Sequence, residues 1–252
     1  MNTHHDTILI TGGGSGIGRG LAEAFHALGH QVIIAGRRQQ VLEEVTAANP
    51  GMAFATLDIA DPAAIRAFAA DLITRHPSLN YLVNNAGIAA LEDLTAAPAS
   101  LEQSESIITT NVLGPIRLTA ALLPHLLKQN HATIANVSSG LAFVPLPSSP
   151  TYSASKAFLH SYTQSLRWQL RDTPVKVLEI IPPYVQTELG GPSQAVDPRA
   201  MPLRDFIAET MQIIQSNPDS QEICVENAKG LRYAEANGAY DAAFQALSQM
   251  SF

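Results

Sequence analysis

The sequence predicts an α/β protein built on a doubly wound, mainly parallel seven-stranded sheet with helices on both faces. Three observations carry that expectation. Short apolar runs alternate with longer amphipathic segments along the chain, which is the sequence form of repeated strand–helix units. The runs are rich in Val and Ile with apolar residues on both faces, as in strands buried between two helix layers. A glycine-rich turn joins the first run directly to the first amphipathic segment.

The elements follow in order. The first strand, 7–11, leads through the glycine turn into a helix near 17–28, whose Leu21, Ala24, Phe25 and Leu28 recur at helical spacing. Strands at 31–35 and 53–57 flank a helix near 38–48, and a helix at 62–75 precedes the strand at 80–83. The stretch 101–129 reads as two helices, followed by a strand at 132–137. A long helix over 150–171 carries Phe158, Tyr162, Leu166 and Leu170 at i+4 steps, a face for packing or subunit contact. A strand at 175–181, a helix at 202–215, a last strand at 222–225 and a closing helix with Tyr240, Phe244 and Leu247 complete the pattern. Pro and Ser at 145–150, and Gly and Pro at 190–202, mark loops rather than linkers, so residues 1–252 are expected to form a single domain.

Composition excludes several classes. The 252 residues are 46% hydrophobic and 15% charged, with a formal net charge of −7 and no basic tail, which argues against a nucleic-acid surface. The single cysteine, Cys224, cannot form an internal disulfide and excludes a multi-Cys zinc site. The eight His are scattered, the adjacent His4 and His5 read as surface residues, and no metal is expected. No uncharged apolar run approaches the roughly 18 residues needed to span a bilayer. Met1 to Ile10 lacks a signal-peptide core, so no membrane partner is expected and the chain reads as cytoplasmic.

The glycine turn is Thr11-Gly12-Gly13-Gly14-Ser15-Gly16-Ile17-Gly18. Strand, glycine loop and helix in that order form a phosphate cradle: glycines let the backbone approach a pyrophosphate, and the helix start supplies free N–H groups and a positive dipole end. Arg19 and Gly20 stand where a P-loop would need Lys and then Ser or Thr, so a mononucleotide site of that kind is excluded. A flexible turn is the plain alternative; the flanking strand and helix favour a dinucleotide-binding, Rossmann-type unit. An acid at the end of the second strand would bind the ribose 2′-OH of NAD, and an Arg a 2′-phosphate. The chain has Gly36-Arg37-Arg38 there, which points to NADP(H), with NAD(H) as the lesser possibility.

Asn136-Val137-Ser138-Ser139-Gly140 ends a strand, and Tyr152-Ser153-Ala154-Ser155-Lys156 opens the long helix. Tyr152 and Lys156 are neighbours at i and i+4, and a close ammonium is expected to lower the tyrosine pKa by about 1 to 3 units. That would make Tyr152 a usable acid or base, with a serine hydroxyl beside it to bind a substrate oxygen.

Taken together these motifs resemble the short-chain dehydrogenase/reductase family over about 6–190. The glycine turn matches its T-G-x-x-x-G-x-G, Asn84-Asn85-Ala86-Gly87 its N-N-A-G, and Tyr152-x-x-x-Lys156 its Y-x-x-x-K. Ser139 precedes Tyr152 by the family's usual interval and is chosen over Ser138; Asn111 falls where the family places a catalytic Asn. The resemblance implies an NADP(H)-dependent carbonyl reductase or alcohol dehydrogenase. Tyr152 would exchange the proton with the substrate oxygen, Lys156 would assist it and hold ribose hydroxyls, Ser139 would orient the carbonyl, and Asn111 would support a relay water. The implied cofactor residues are Gly12, Ser15, Gly16, Ile17, Gly18, Arg37, Arg38, Asp58, Ile59, Asn85, Ala86, Gly87, Pro182, Val185 and Thr187, together with Tyr152 and Lys156.

The chain departs from the family's P-G-x-V-x-T at Pro182-Pro183-Tyr184-Val185-Gln186-Thr187, where Pro183 stiffens the loop and removes one N–H donor. Beyond it, 188–215 reads as a substrate-loop region. The expected lining of Leu141, Phe143, Leu146, Tyr184 and Leu189 points to a small hydrophobic carbonyl or alcohol, or simply to packed loops. A homodimer or homotetramer is implied through the long helices. The alternative from another class, a non-catalytic NADP(H)-binding redox sensor, has no need for Ser139, Tyr152 and Lys156 together.

Overall fold

The computed structural model describes residues 5–95 and 101–250; His4, named above, lies outside them. Seven strands, β1 (Thr7–Thr11), β2 (Gln31–Gly36), β3 (Ala53–Thr56), β4 (Leu79–Asn84), β5 (Ala132–Val137), β6 (Val175–Ile181) and β7 (Glu222–Cys224), form one sheet in the order β3-β2-β1-β4-β5-β6-β7. Every neighbouring pair is parallel, with Ile10 in register with Ile34 on one side and Val83 on the other.

The helices are α1 (Gly16–Ala27), α2 (Gln39–Ala48), α3 (Pro62–Arg75), α4 (Glu102–Ile108), α5 (Gly114–Leu126), α6 (Pro150–Gln169), α7 (Leu203–Ser216), α8 (Glu226–Arg232) and α9 (Tyr240–Ser248). Strand side chains alternate between faces, so β1 sends Ile8 and Ile10 into one core with Leu21, Phe25 and Phe206, and Leu9 into a second with Ile65, Leu72, Leu118 and Leu122. All of these are buried, and each contributes about 1.5 to 3 kcal/mol in transfer terms. Two cores on opposite faces explain why the strands are continuously apolar.

Two elements differ from expectation. The stretch read as two helices is one continuous helical run, in which a π-helical turn, Thr109–Leu113, joins α4 to α5. Gly114 and Pro115 look like a break in sequence, but the backbone leading into them is helical and they open α5 directly after the π-helical turn. The run Glu102–Leu126 is long and apolar enough to cross a membrane by length and composition, with mean hydropathy 1.3. Its Leu118, Leu122 and Leu126 are fully buried in the second core. Helix α8 had no sequence counterpart, because seven residues are too few to show a 3.6 period.

Candidate functional site

The strand order reverses between β1 and β4, so the loops after these strands part and leave a crevice at their carboxyl ends. A cavity of about 840 Å³ lies there. Its lining includes every expected site residue except Gly18 and Asn111.

The glycine turn is anchored from beneath. Gly12 N–H donates to Ala35 O at 2.7 Å, and Thr11 Oγ1 accepts from the N–H groups of Asn85 and Ala86, each at 3.0 Å, which ties the turn to the Asn-Asn-Ala-Gly loop. Gly16 has φ +52, a left-handed conformation that admits glycine readily. Gly18 does not reach the cavity: a Cβ there would stand 2.3 Å from Gly12 O and 2.4 Å from Asn85 Nδ2, so this position lets helix α1 pack against the turn. Ser15 caps α1 without a side-chain hydrogen bond to its first-turn amides. Helix starts carry such unpaired donors, which suit a phosphate. Arg38 Nη2 donates to Ser15 Oγ at 3.1 Å, and Arg37 and Arg38 are both exposed on the cavity wall. Asp58 Oδ1 accepts from Ala60 N–H at 3.0 Å, which shapes the rim after β3.

At the other end, Ser139 caps a short 3₁₀ turn, its Oγ accepting from Leu141 N–H at 3.1 Å. Tyr152 and Lys156 lie on the first turns of α6, 8% and 5% exposed. The structure overturns the expected lowering of the Tyr152 pKa by Lys156. Burial pushes the Tyr152 pKa up to about 12, opposed by a hydrogen bond with Ser139, while burial pulls Lys156 down to about 8, opposed by the charge of Glu179. Lys156 Nζ donates to Val137 O at 2.8 Å. Burial of the phenol sets the direction, and Lys156, tethered to Val137 O, does not offset it.

Asn111 stands behind the wall on the π-helical turn. Its Oδ1 accepts from Ile88 N–H at 2.9 Å, and its Nδ2 donates to Ile88 O at 2.9 Å and Ser155 Oγ at 3.1 Å. It therefore holds the loop after β4 against α6.

Leu141, Leu146, Tyr184 and Leu189 line the cavity as expected, but Phe143 does not. Its ring packs edge-on against His160 at 4.6 Å and under the Arg232 guanidinium at 4.6 Å. Sequence reasoning missed Glu188, Gln194, Asp197 and Arg199 on the rim, and Leu231 on α8, Leu247 on α9 and Met250 just beyond it. Arg199 bonds Asp197 at 2.6 Å and, with its backbone N–H, holds that carboxyl down at about 2. No motif marks these residues, which the folding of 183–202 and the return of α8 and α9 bring in.

The fold and this cavity define a dinucleotide-binding oxidoreductase. A family model described as short chain dehydrogenase matches residues 6–197, and the chain belongs to that family. The "Uncharacterized oxidoreductase DltE" of Bacillus subtilis (strain 168) is 38% identical over 251 residues, covering 98% of each chain. "NADP-dependent 3-hydroxy acid dehydrogenase YdfG" of Shigella flexneri is 37% identical over 179 residues, 71% of this chain and 72% of that one. A solved short chain dehydrogenase from Burkholderia cenocepacia J2315 in complex with NADP matches with TM-score 0.80 at 26% identity, covering 100% of both chains.

Proposed function

We propose that the protein, as a single domain, is an NADP(H)-dependent carbonyl reductase or alcohol dehydrogenase acting on a small, largely hydrophobic substrate. The observation that carries this reading is one cavity shared by Arg37 and Arg38 at the end of β2 and by Ser139, Tyr152 and Lys156 beyond β5. Strands β2 and β5 are three spacings apart in the sheet, roughly 14 Å, a span suited to a dinucleotide.

The residues fit the cofactor. The α1 amides and Ser15 would hold the pyrophosphate, Arg37 and Arg38 the 2′-phosphate, and Asp58 with Ile59 the adenine side. Asn85, Ala86, Gly87, Pro182, Val185 and Thr187 would flank the nicotinamide half. When bound, the nicotinamide donates or accepts hydride. Tyr152 is buried and stays a neutral acid across the physiological range, so its hydroxyl can give a proton to a carbonyl oxygen held by Ser139 Oγ. Lys156, fixed on Val137 O, puts a positive charge beside the phenolate that forms. Leu141, Leu146, Leu231 and Leu247 give the cavity apolar walls that would exclude water around a bound substrate.

The relatives named above support an alcohol or carbonyl group as the reacting function, and NADP as the cofactor. A cytoplasmic homodimer or homotetramer is part of the reading: exposed apolar residues lie on α6 at Phe158 and Trp168 and beside the ends of α5 at Leu113 and Leu127. The test is NADPH oxidation against a panel of ketones, aldehydes and quinones, beside NADPH binding. Uniformly zero rates with binding intact would favour the sensor.

A further inference from the structure

One buried acid has no part in the proposed reaction. Glu179, on β6, is 0% exposed in a strand whose other residues are Val, Ile, Leu and Lys176. Burying a carboxylate is costly unless it is paired and hydrogen-bonded. Its Oε1 accepts from Ser138 Oγ at 2.5 Å, and its Oε2 lies 2.7 Å from His160 Nδ1. Both partners adjoin the reacting groups. Ser138 sits between Val137, whose carbonyl receives the Lys156 ammonium, and Ser139. His160 continues the α6 row of Tyr152 and Lys156 by one more i+4 step, so Tyr152, Lys156 and His160 share a helix face.

The charged and titratable groups around Glu179 come from three elements. Helix α6 presents Lys156, His160 and Arg167, strand β7 presents Glu222 and Cys224, and α8 presents Arg232. His160, Glu179 and Glu222 bring ligand atoms within 4.8 Å of one another, the one such trio found among the described residues. Arg232 already occupies the cation's part there, bonding Glu222 at 2.7 and 2.8 Å.

We propose that Glu179 is a positioning residue of the proton-transfer site: it braces the β5 end through Ser138 and α6 through His160, and so places a carboxylate beside the α6 face that carries Tyr152 and Lys156. The charge of Glu179 opposes the desolvation that lowers Lys156. The inference rests on the proposed proton transfer at Tyr152 and adds a residue that touches neither substrate nor cofactor.

The test compares pH profiles of NADPH-dependent reduction for the unchanged enzyme, Glu179→Gln, Glu179→Asp and His160→Gln, with folding checked by circular dichroism. In Glu179→Gln the high-pH limb is expected to move down by about 1 unit, the lower end of what a nearby opposite charge supplies. Glu179→Asp should fall between the two, and His160→Gln, which keeps the carboxylate, should leave the limb in place. A folded Glu179→Gln enzyme with an unmoved limb overturns the proposal, as does an equal shift in His160→Gln. If the Gln variant does not fold, an unmoved limb in Glu179→Asp overturns it equally. Absence of reduction in the unchanged enzyme would count against the proposed function instead, so the two failures are separable.

Discussion

Lys156 Nζ lies 5.6 Å from the centroid of the Tyr152 ring and spends a hydrogen bond on Val137 O at 2.8 Å. The pair is therefore held at a distance by the backbone of β5, with both groups buried. That arrangement costs stability and sets the pH range over which proton transfer can work.

Reduction should depend on pH through Lys156 rather than Tyr152. Lys156 is charged below about 8, and Tyr152 is protonated up to about 12. Carbonyl reduction is expected to be level on the acid side of pH 8 and to fall as Lys156 loses its proton above it. A profile flat to pH 10 would contradict this.

Lys156→Met should stabilise the free protein while removing activity. The Lys156 pKa falls from 10.5 to about 8 on folding, so the folded state holds its proton less tightly than the unfolded one. At neutral pH both states are charged and folding bears the full burial cost; between 8 and 10.5 the native state has released the proton and the cost fades. The variant is expected to gain about 1 to 3 kcal/mol at pH 7 and nothing by pH 11, in urea titrations at the two pH values.

Arg37→Ala and Arg38→Ala should lower the preference for NADPH over NADH. Each would lose its proposed charge-assisted contact to the 2′-phosphate, about 1.5 to 3 kcal/mol, or roughly ten- to a hundredfold in the ratio of kcat/KM values. Arg38→Ala also loses the bond to Ser15 Oγ and should show the larger effect. An unchanged ratio in both variants removes the NADP assignment.

Gly18→Ala should weaken dinucleotide binding without a direct contact. The added methyl meets Gly12 O at 2.3 Å, so the turn must shift where it presents its amides. Overpacking of this kind costs about 1 to 3 kcal/mol. Calorimetry should show loss of both stability and cofactor affinity; loss of neither would contradict the packing argument.

Much of this was legible because it is local. The ends of β1, β5 and β6 agree with the apolar runs, since a strand buried on both faces needs nothing distant to announce it. Tyr152 and Lys156 sit together through i, i+4 spacing alone. What the sequence hid depends on tertiary context. The low Lys156 and high Tyr152 pKa follow from burial, which residue spacing does not report. The π-helical turn under Asn111 lies in a segment whose Gly114-Pro115 mimics a helix end. Glu179 passes as one polar letter in an apolar strand, and Leu247 and Met250 reach the cavity only because α9 returns to it.

The central claim is that Tyr152 transfers the proton, and Tyr152→Phe tests it most directly: kcat for carbonyl reduction measured beside NADPH affinity. The account predicts that kcat falls by at least about a hundredfold, the low end of what positioned general acids contribute, while NADPH binding stays within about twofold. Reduction at an unchanged rate by a folded Tyr152→Phe enzyme would contradict it.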